Sequence, residues 1–277
     1  HSALKSTKVY DFLRQSSKKL FFADNNYSGN FYGEGWPYGD YNDYYQVEIN
    51  ALPIENNVAK FSVDANGNLQ VKPAYFQSKL TLDTSYHPKN YMIKRALFEN
   101  KFVYPAATIS PQFKQEIPWK TSSELTVALL QDTLKKTVEL LQMKMPANAK
   151  TLYSIAADSV YKYMLWPSDN FIAEQLLLVC SSKLGQNLST QVAIDFSKKQ
   201  FLKDLPDEPQ WADGSGLSRQ NLFTPGSLGN VYNQSGYLIT RKGRKLLFCY
   251  MNNNFTQSTA VIRAEMARII TAIHNRF

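Results

Sequence analysis

The sequence predicts an α+β protein, antiparallel sheet flanked by helices, and three observations carry that expectation. Residues 1–120 are rich in Tyr, Asn, Gly and Pro, and segments within them such as Tyr45–Leu52 and Ala59–Val63 alternate in the manner of strands. From Ser123 onward apolar residues recur at helical spacing instead. Near the C-terminus two strand-like runs, Ser235–Thr240 and Lys245–Met251, flank Arg241-Lys242-Gly243-Arg244 and lead into a last helix. The division that follows is an inserted α+β part over 1–120 and a helix-flanked antiparallel sheet domain over 121–277.

Taken in order, a short helix over Lys8–Ser16 precedes strands over Tyr45–Leu52 and Ala59–Val63. Asp64-Ala65-Asn66-Gly67-Asn68 reads as a turn joining Phe61–Val63 to Leu69–Lys72, because Asp, Asn and Gly suit the backbone of a tight reversal. The cluster Gly33-Glu34-Gly35-Trp36-Pro37-Tyr38-Gly39-Asp40 opens no helix, so it is a structured loop rather than a phosphate cradle. Val127, Leu130, Leu134, Val138 and Leu141 predict one helix that ends before Pro146. A helix over Ile155–Trp166 is stopped by Pro167, and the next carries Ile172 through Leu184 to Gly185. Ser168-Asp169-Asn170 therefore forms a tight corner, and its residue types are those that cap a helix. The last helix, Ser258–Asn275, sets Ile262, Met266, Ile269, Ile270 and Ile273 on one face.

Composition narrows the function classes. A 44% hydrophobic content over 277 residues excludes disorder as the main state. The net charge of +8 suits a membrane surface or an acidic polymer such as peptidoglycan. The cations lie in scattered pairs, such as Lys18-Lys19 and Lys198-Lys199, and no nucleic-acid motif accompanies them, so no nucleic-acid partner is expected. Cys180 and Cys249 sit in apolar runs and read as buried, inert thiols. His1, His87 and His274 are too dispersed for a triad or a metal site. No apolar run is long enough to cross a bilayer. The first residues, HisSerAlaLeuLysSerThrLys, are not a signal peptide, which suggests a mature, trimmed or cytosolic chain.

Three signals occur in sequence: Ser168-Asp169-Asn170, the Gly-rich Asp213-Gly214-Ser215-Gly216-Leu217-Ser218-Arg219, and Gly226-Ser227-Leu228 ahead of the hairpin. Each alone is weak. Together they resemble the penicillin-recognising serine enzymes, whose elements are Ser-x-x-Lys, Ser-x-Asn and Lys-Thr-Gly. The stretches TrpProSerAspAsnPheIleAlaGluGlnLeuLeu, AlaAspGlySerGlyLeuSerArgGlnAsnLeuPheThrPro and GlySerLeuGlyAsnValTyrAsnGlnSerGlyTyrLeu are similar to the class C low-molecular-mass D-alanyl-D-alanine carboxypeptidases/endopeptidases. The resemblance is sharpest over residues 154–250. Upstream, GlyGluGlyTrpProTyrGlyAspTyr and IleAsnAlaLeuProIleGluAsnAsn resemble the insert between the first and second elements of that family.

The resemblance implies a periplasmic or otherwise extracytoplasmic serine peptidase that acts on peptidoglycan stem peptides, is acylated by β-lactams and needs no metal or organic cofactor. It further implies that a serine attacks the D-alanyl-D-alanine carbonyl while the Lys one turn later takes its proton. Ser168 would relay that proton, and Asn170 would orient the Lys and hydrogen-bond the substrate amide. Gly226 and Ser227 would edge the site, with the Ser227 N–H as one oxyanion donor. Asp213 and Ser215 would shape the cleft rim, through a glycine-permitted turn rather than direct chemistry. On this reading Asn170 and Ser227 line one cleft.

The sequence departs from the family at two elements. Thr224 and Pro225 stand where Lys-Thr is expected before Gly226. A proline there removes a strand donor, so Pro225 and Gly226 are expected not to be neighbours in the natural protein. Ser2-Ala3-Leu4-Lys5 fits Ser-x-x-Lys formally, but it leads into polar Ser6-Thr7-Lys8 rather than a long apolar helix. The nucleophile is therefore expected upstream of residue 1. The alternative is a catalytically inactive relative that binds peptidoglycan or a partner protein.

Overall fold

The structure, a computed structural model, describes residues 4, 6–89, 91–185, 187–205, 211–218, 227–228, 231–253 and 256–277. The chain divides into two units, His1–Gln220 and Asn221–Phe277. The first opens with α1 (Lys8–Gln15) and β1 (Leu20–Phe22), then runs through β2 (Val58–Val63), β3 (Leu69–Lys72), β4 (Leu80–Asp83), β5 (Lys94–Arg95), β6 (Phe102–Pro105) and β7 (Lys114–Pro118). It continues with α2 (Ser123–Leu134), β8 (Val138–Leu140), α3 (Ala157–Leu165), α4 (Asn170–Lys183) and α5 (Thr190–Phe201). The second unit holds β9 (Ser227–Leu228), β10 (Val231–Ile239), β11 (Lys245–Asn253) and α6 (Thr259–Arg276).

In the first unit β3-β2-β7 form an antiparallel sheet, and β4-β6-β5 a mixed one in which β4 and β6 run parallel. The β2–β3 hairpin turns at Asp64, whose carboxylate accepts the Asn66 and Asn68 N–H groups at 2.9 and 2.8 Å. Apolar faces of both sheets meet in one aromatic core. There Phe76 lies 5.0 Å from Trp119 and Phe61 lies 5.1 Å from Phe102, measured between ring centroids. Helix α2 drives Leu125, Leu129, Leu130 and Leu134 into the same core, and β8 adds Val138. Each such side chain contributes about 1.5–3 kcal/mol by leaving water. A smaller cluster of Val47, Val58 and Phe171 fastens the first turn of α4 to the start of β2. That contact positions the candidate site.

The second unit is the expected hairpin and closing helix. β10 pairs antiparallel with β11 over nine residue pairs, Val231↔Asn253 to Ile239↔Lys245, and with β9 at Tyr232↔Ser227. Ser258 caps α6 by accepting the Val261 N–H, and Met266 is buried.

Four expectations need correction. The spacing of Val127 to Leu141 predicts one helix, but α2 stops where Lys135 turns left-handed at φ 52°. The apolar series then continues as β8, pairing parallel with β1 at Leu20↔Val138, so the sheet partners of 121–277 are not all antiparallel. Here a strand partner outweighs helical periodicity. Tyr45–Leu52 is no strand, because irregular partners take its backbone groups: Ile49 N–H donates to the Phe31 carbonyl and the Asn57 amide to the Glu48 carbonyl. Both cysteines are exposed rather than buried. Cys180 lies on the outer face of α4 beside exposed Val179, while Phe171, Ile172, Glu174 and Leu178 fill the inner one. Cys249 sits on the β11 face that also exposes Leu247 and Met251. Finally, α5 has no counterpart in the sequence reading. It buries only Ala193 and Ile194, too short an apolar stripe to stand out.

Candidate active site

The Ser168–Asn170 corner is built by two helix ends. α3 finishes before Pro167, and the Asp169 N–H then reaches back to the Met164 carbonyl at 2.8 Å. Asp169 caps α4, its Oδ1 accepting the Ile172 N–H at 2.9 Å. Burial raises the Asp169 carboxyl above the ordinary aspartate range, an effect the cap bond opposes. Between these two anchors Ser168 is held left-handed at φ 57° with its side chain exposed. That conformation costs a non-glycine residue about 1–2 kcal/mol, and it persists because the bonds on either side fix the chain path. Asn170 begins α4, and its Nδ2 donates to the Tyr45 main-chain carbonyl at 3.1 Å. Phe171, packed on Val47 and Val58, secures the same turn from the apolar side.

One turn further along α4, Glu174 is 1% exposed. Its Oε1 accepts the Gly214 and Ser215 N–H groups at 3.0 and 2.8 Å, so the Gly-rich loop is bonded to the helix that carries Asn170. Burial, together with the Asp213 carboxyl close by, pushes the Glu174 carboxyl up to about 7. The loop is organised around Asp213, itself 1% exposed. Asp213 Oδ1 accepts the Gly216 N–H at 2.8 Å, and Oδ2 accepts the Ser218 N–H at 2.7 Å. Oδ2 also accepts the Trp36 indole N–H at 2.8 Å, and the Asp213 main-chain carbonyl takes that of Trp211 at 2.6 Å.

Glycine is required where these segments touch. A Cβ on Gly214 would lie 2.8 Å from the Ala173 carbonyl oxygen of α4. Gly214→Ala is thus expected to lower stability by about 1–3 kcal/mol through overpacking against backbone, measurable as a drop in the urea midpoint. A Cβ on Gly33 would run into the Trp36 ring, which accounts for glycine in that loop as well.

The structure therefore brings Ser168, Asn170, Asp213 and Ser215 into one connected region of the first unit. Three segments far apart in sequence meet there: the loop holding Trp36, the corner with α4, and the Asp213–Ser218 loop. Gly226 and the join to Pro225 lie outside the described residues, as do Ser2 and Lys5. Ser227 is described in its backbone, as part of β9. Sequence reasoning missed Glu174, Trp36 and Tyr45. The signal available was an acid set four residues after Asn170 inside an apolar helix, which demands a buried partner. Among the described residues no group of His, Cys, Asp and Glu could hold a metal, and no helix is long and apolar enough to cross a membrane.

Residues 14–225 match the D-Ala-D-Ala carboxypeptidase 3 (S13) family. The chain belongs to that family. It is thus a serine-type D-Ala-D-Ala carboxypeptidase, and the resemblance read from its three short elements holds. The crystal structure of penicillin binding protein 4 (dacB) from Haemophilus influenzae superposes with a TM-score of 0.71 at 19% identity, over 96% of this chain and 79% of that one. The complex of that protein with a novel β-lactam (CMV) gives 0.61 at 18% identity, over 83% and 72%. These likenesses show the mixed helix–sheet fold of a penicillin-binding protein. No curated protein sequence matches the chain.

Proposed function

We propose that this carboxypeptidase works on peptidoglycan stem peptides by acyl transfer, with Ser168 and Asn170 in the proton-transfer and substrate-orienting roles. The serine of the Ser-x-x-Lys element would bond to the penultimate D-alanine carbonyl, the peptide bond would break, and terminal D-alanine would leave with the proton that Ser168 passes on. Water then releases the acyl group. Asn170 suits its role because its amide is already tethered on one side, to the Tyr45 carbonyl. Asp213 and Ser215 act through the shape of the rim loop, and Gly226 with the Ser227 N–H is assigned to the substrate edge. β-Lactams would acylate the same serine, in keeping with the β-lactam complex of the similar fold. Action on cross-links as well as free peptides, a periplasmic or outer-surface location and peripheral attachment to membrane or wall belong to the same reading. So does the division into an insert over 1–120 and a peptidase domain over 121–277, although α2 and β8 share their core with strands of the insert.

The observation that carries the proposal is the clamped corner: an exposed, left-handed Ser168 beside an oriented Asn170, within a chain of this family. Mass spectrometry of the full gene-encoded protein after exposure to a labelled penicillin tests it. A single covalent adduct per chain, prevented by excess peptide ending in D-alanyl-D-alanine, is the expected result. No adduct on folded protein would favour the alternative, an inactive relative that only binds the wall or a partner.

A further inference from the structure

We propose that Glu174 is a positioning residue for the peptidase reaction: it couples the Ser168–Asn170 corner to the Asp213–Ser218 loop by holding Gly214 and Ser215 through their N–H groups. The inference rests on the acyl-transfer reading for its consequence in catalysis, and on geometry for the coupling itself. Asn170 and Glu174 are four residues apart on α4, so their side chains lie on the same face, one turn from each other. The helix end is fixed by the Asp169 cap and by Phe171 in its apolar cluster. Whatever Glu174 holds is therefore held at a set distance from Asn170.

The choice of an acid is informative. A carboxyl that is 1% exposed is costly unless its oxygens are satisfied. Oε1 takes two N–H donors, whereas Oε2 is buried and finds no hydrogen-bond partner among the described residues. Asp213, also buried, and the Ser215 hydroxyl are the polar groups that face it from the loop. From the N-terminal segment Tyr27 faces it, donating its hydroxyl proton to the Asn30 carbonyl at 2.7 Å and remaining neutral, since burial, Glu48 and Glu174 all raise it. Among the described residues no cation is in this group. The protonated acid therefore fits the pocket, and the ionised form sets a second negative group against Asp213. The raised titration of Glu174, to about 7, agrees with this arrangement. Ionisation would release a proton to solvent; the Gly214 and Ser215 N–H bonds to Oε1 favour it, but burial and the repulsion of Asp213 outweigh them and strain the seat of the loop on α4, with Asp213 and its two indole bonds moving in consequence.

The test compares wild type, Glu174→Gln and Glu174→Ala in the full-length protein between about pH 5 and pH 9. One readout is the acylation rate with a fluorescent penicillin, the other tryptophan emission, which reports Trp36 and Trp211 at Asp213. Wild type is expected to show an emission step near neutral pH, with a several-fold fall in acylation over the same range. Glu174→Gln keeps an oxygen for both N–H groups and cannot ionise, so it should acylate at least as fast as wild type at low pH and lose both steps. Glu174→Ala should acylate slowly at every pH. An emission and rate profile of Glu174→Gln identical to that of wild type would overturn the proposal, as would normal acylation by folded Glu174→Ala. If wild type takes no label, the acyl-transfer reading fails, and the emission step still decides the coupling by itself.

Discussion

Ser168→Ala is expected to slow acylation by a labelled penicillin by about 10²–10⁴-fold, the range for removing a positioned proton-transfer group. The loss should come without unfolding. The Ser168 side chain is exposed, and the anchors of the corner are the Asp169 main chain and carboxylate rather than the serine hydroxyl. Alanine also keeps the left-handed strain, so its melting temperature should stay close to that of wild type. Ser168→Gly is the companion variant. It relieves a conformation at φ 57° that glycine adopts freely, and should gain up to about 1 kcal/mol while being equally slow. Slow acylation in both variants separates the hydroxyl from the backbone. Acylation at the wild-type rate in Ser168→Ala would remove the relay role.

The second large effect is on stability. Asp213→Ala would leave the Gly216 and Ser218 N–H groups and the Trp36 indole N–H without their acceptor, in a place that is 1% exposed. An orphaned buried donor costs about 1–3 kcal/mol, and partial relaxation of the loop brings the expected total to the order of 3–5 kcal/mol. Urea unfolding followed by tryptophan emission measures it directly, since Trp36 and Trp211 both lose their contacts. Asp213→Asn retains one oxygen but turns an amide group toward donors, so it should fall between the two. A wild-type midpoint in Asp213→Ala would mean that water replaces the carboxyl without loss.

These expectations show which parts of the site a sequence can disclose. The cap at Asp169 was legible because capping is local: a short polar residue, a helix start and a bond three residues on. The hairpin and α6 were legible for the same reason, each being set by its own period and turn. Trp36 and Asp213 stand 177 positions apart, and nothing local to either announces the other. Glu174 was hidden by its surroundings, where an apolar helix drew attention to the aliphatic residues and away from the one acid among them. The exposed cysteines show the converse error. An apolar run does not say which of its faces is inward, and Cys180 lies on the outer one. Lys135 marks the limit of periodicity, because a single left-handed residue converts a helical series into a strand once β1 offers an edge.

The tether between Asn170 and the Tyr45 carbonyl has a consequence for how this site can diverge among related enzymes. A main-chain oxygen belongs to every amino acid, so the acceptor is insensitive to the identity of the residue that bears it. The side chain at 45 has separate partners, its hydroxyl lying 3.1 Å from Asp40 Oδ2 and 3.3 Å from Asp43 Oδ2, so a replacement there would be felt first at those acids, while one at Asn170 would remove the tether itself.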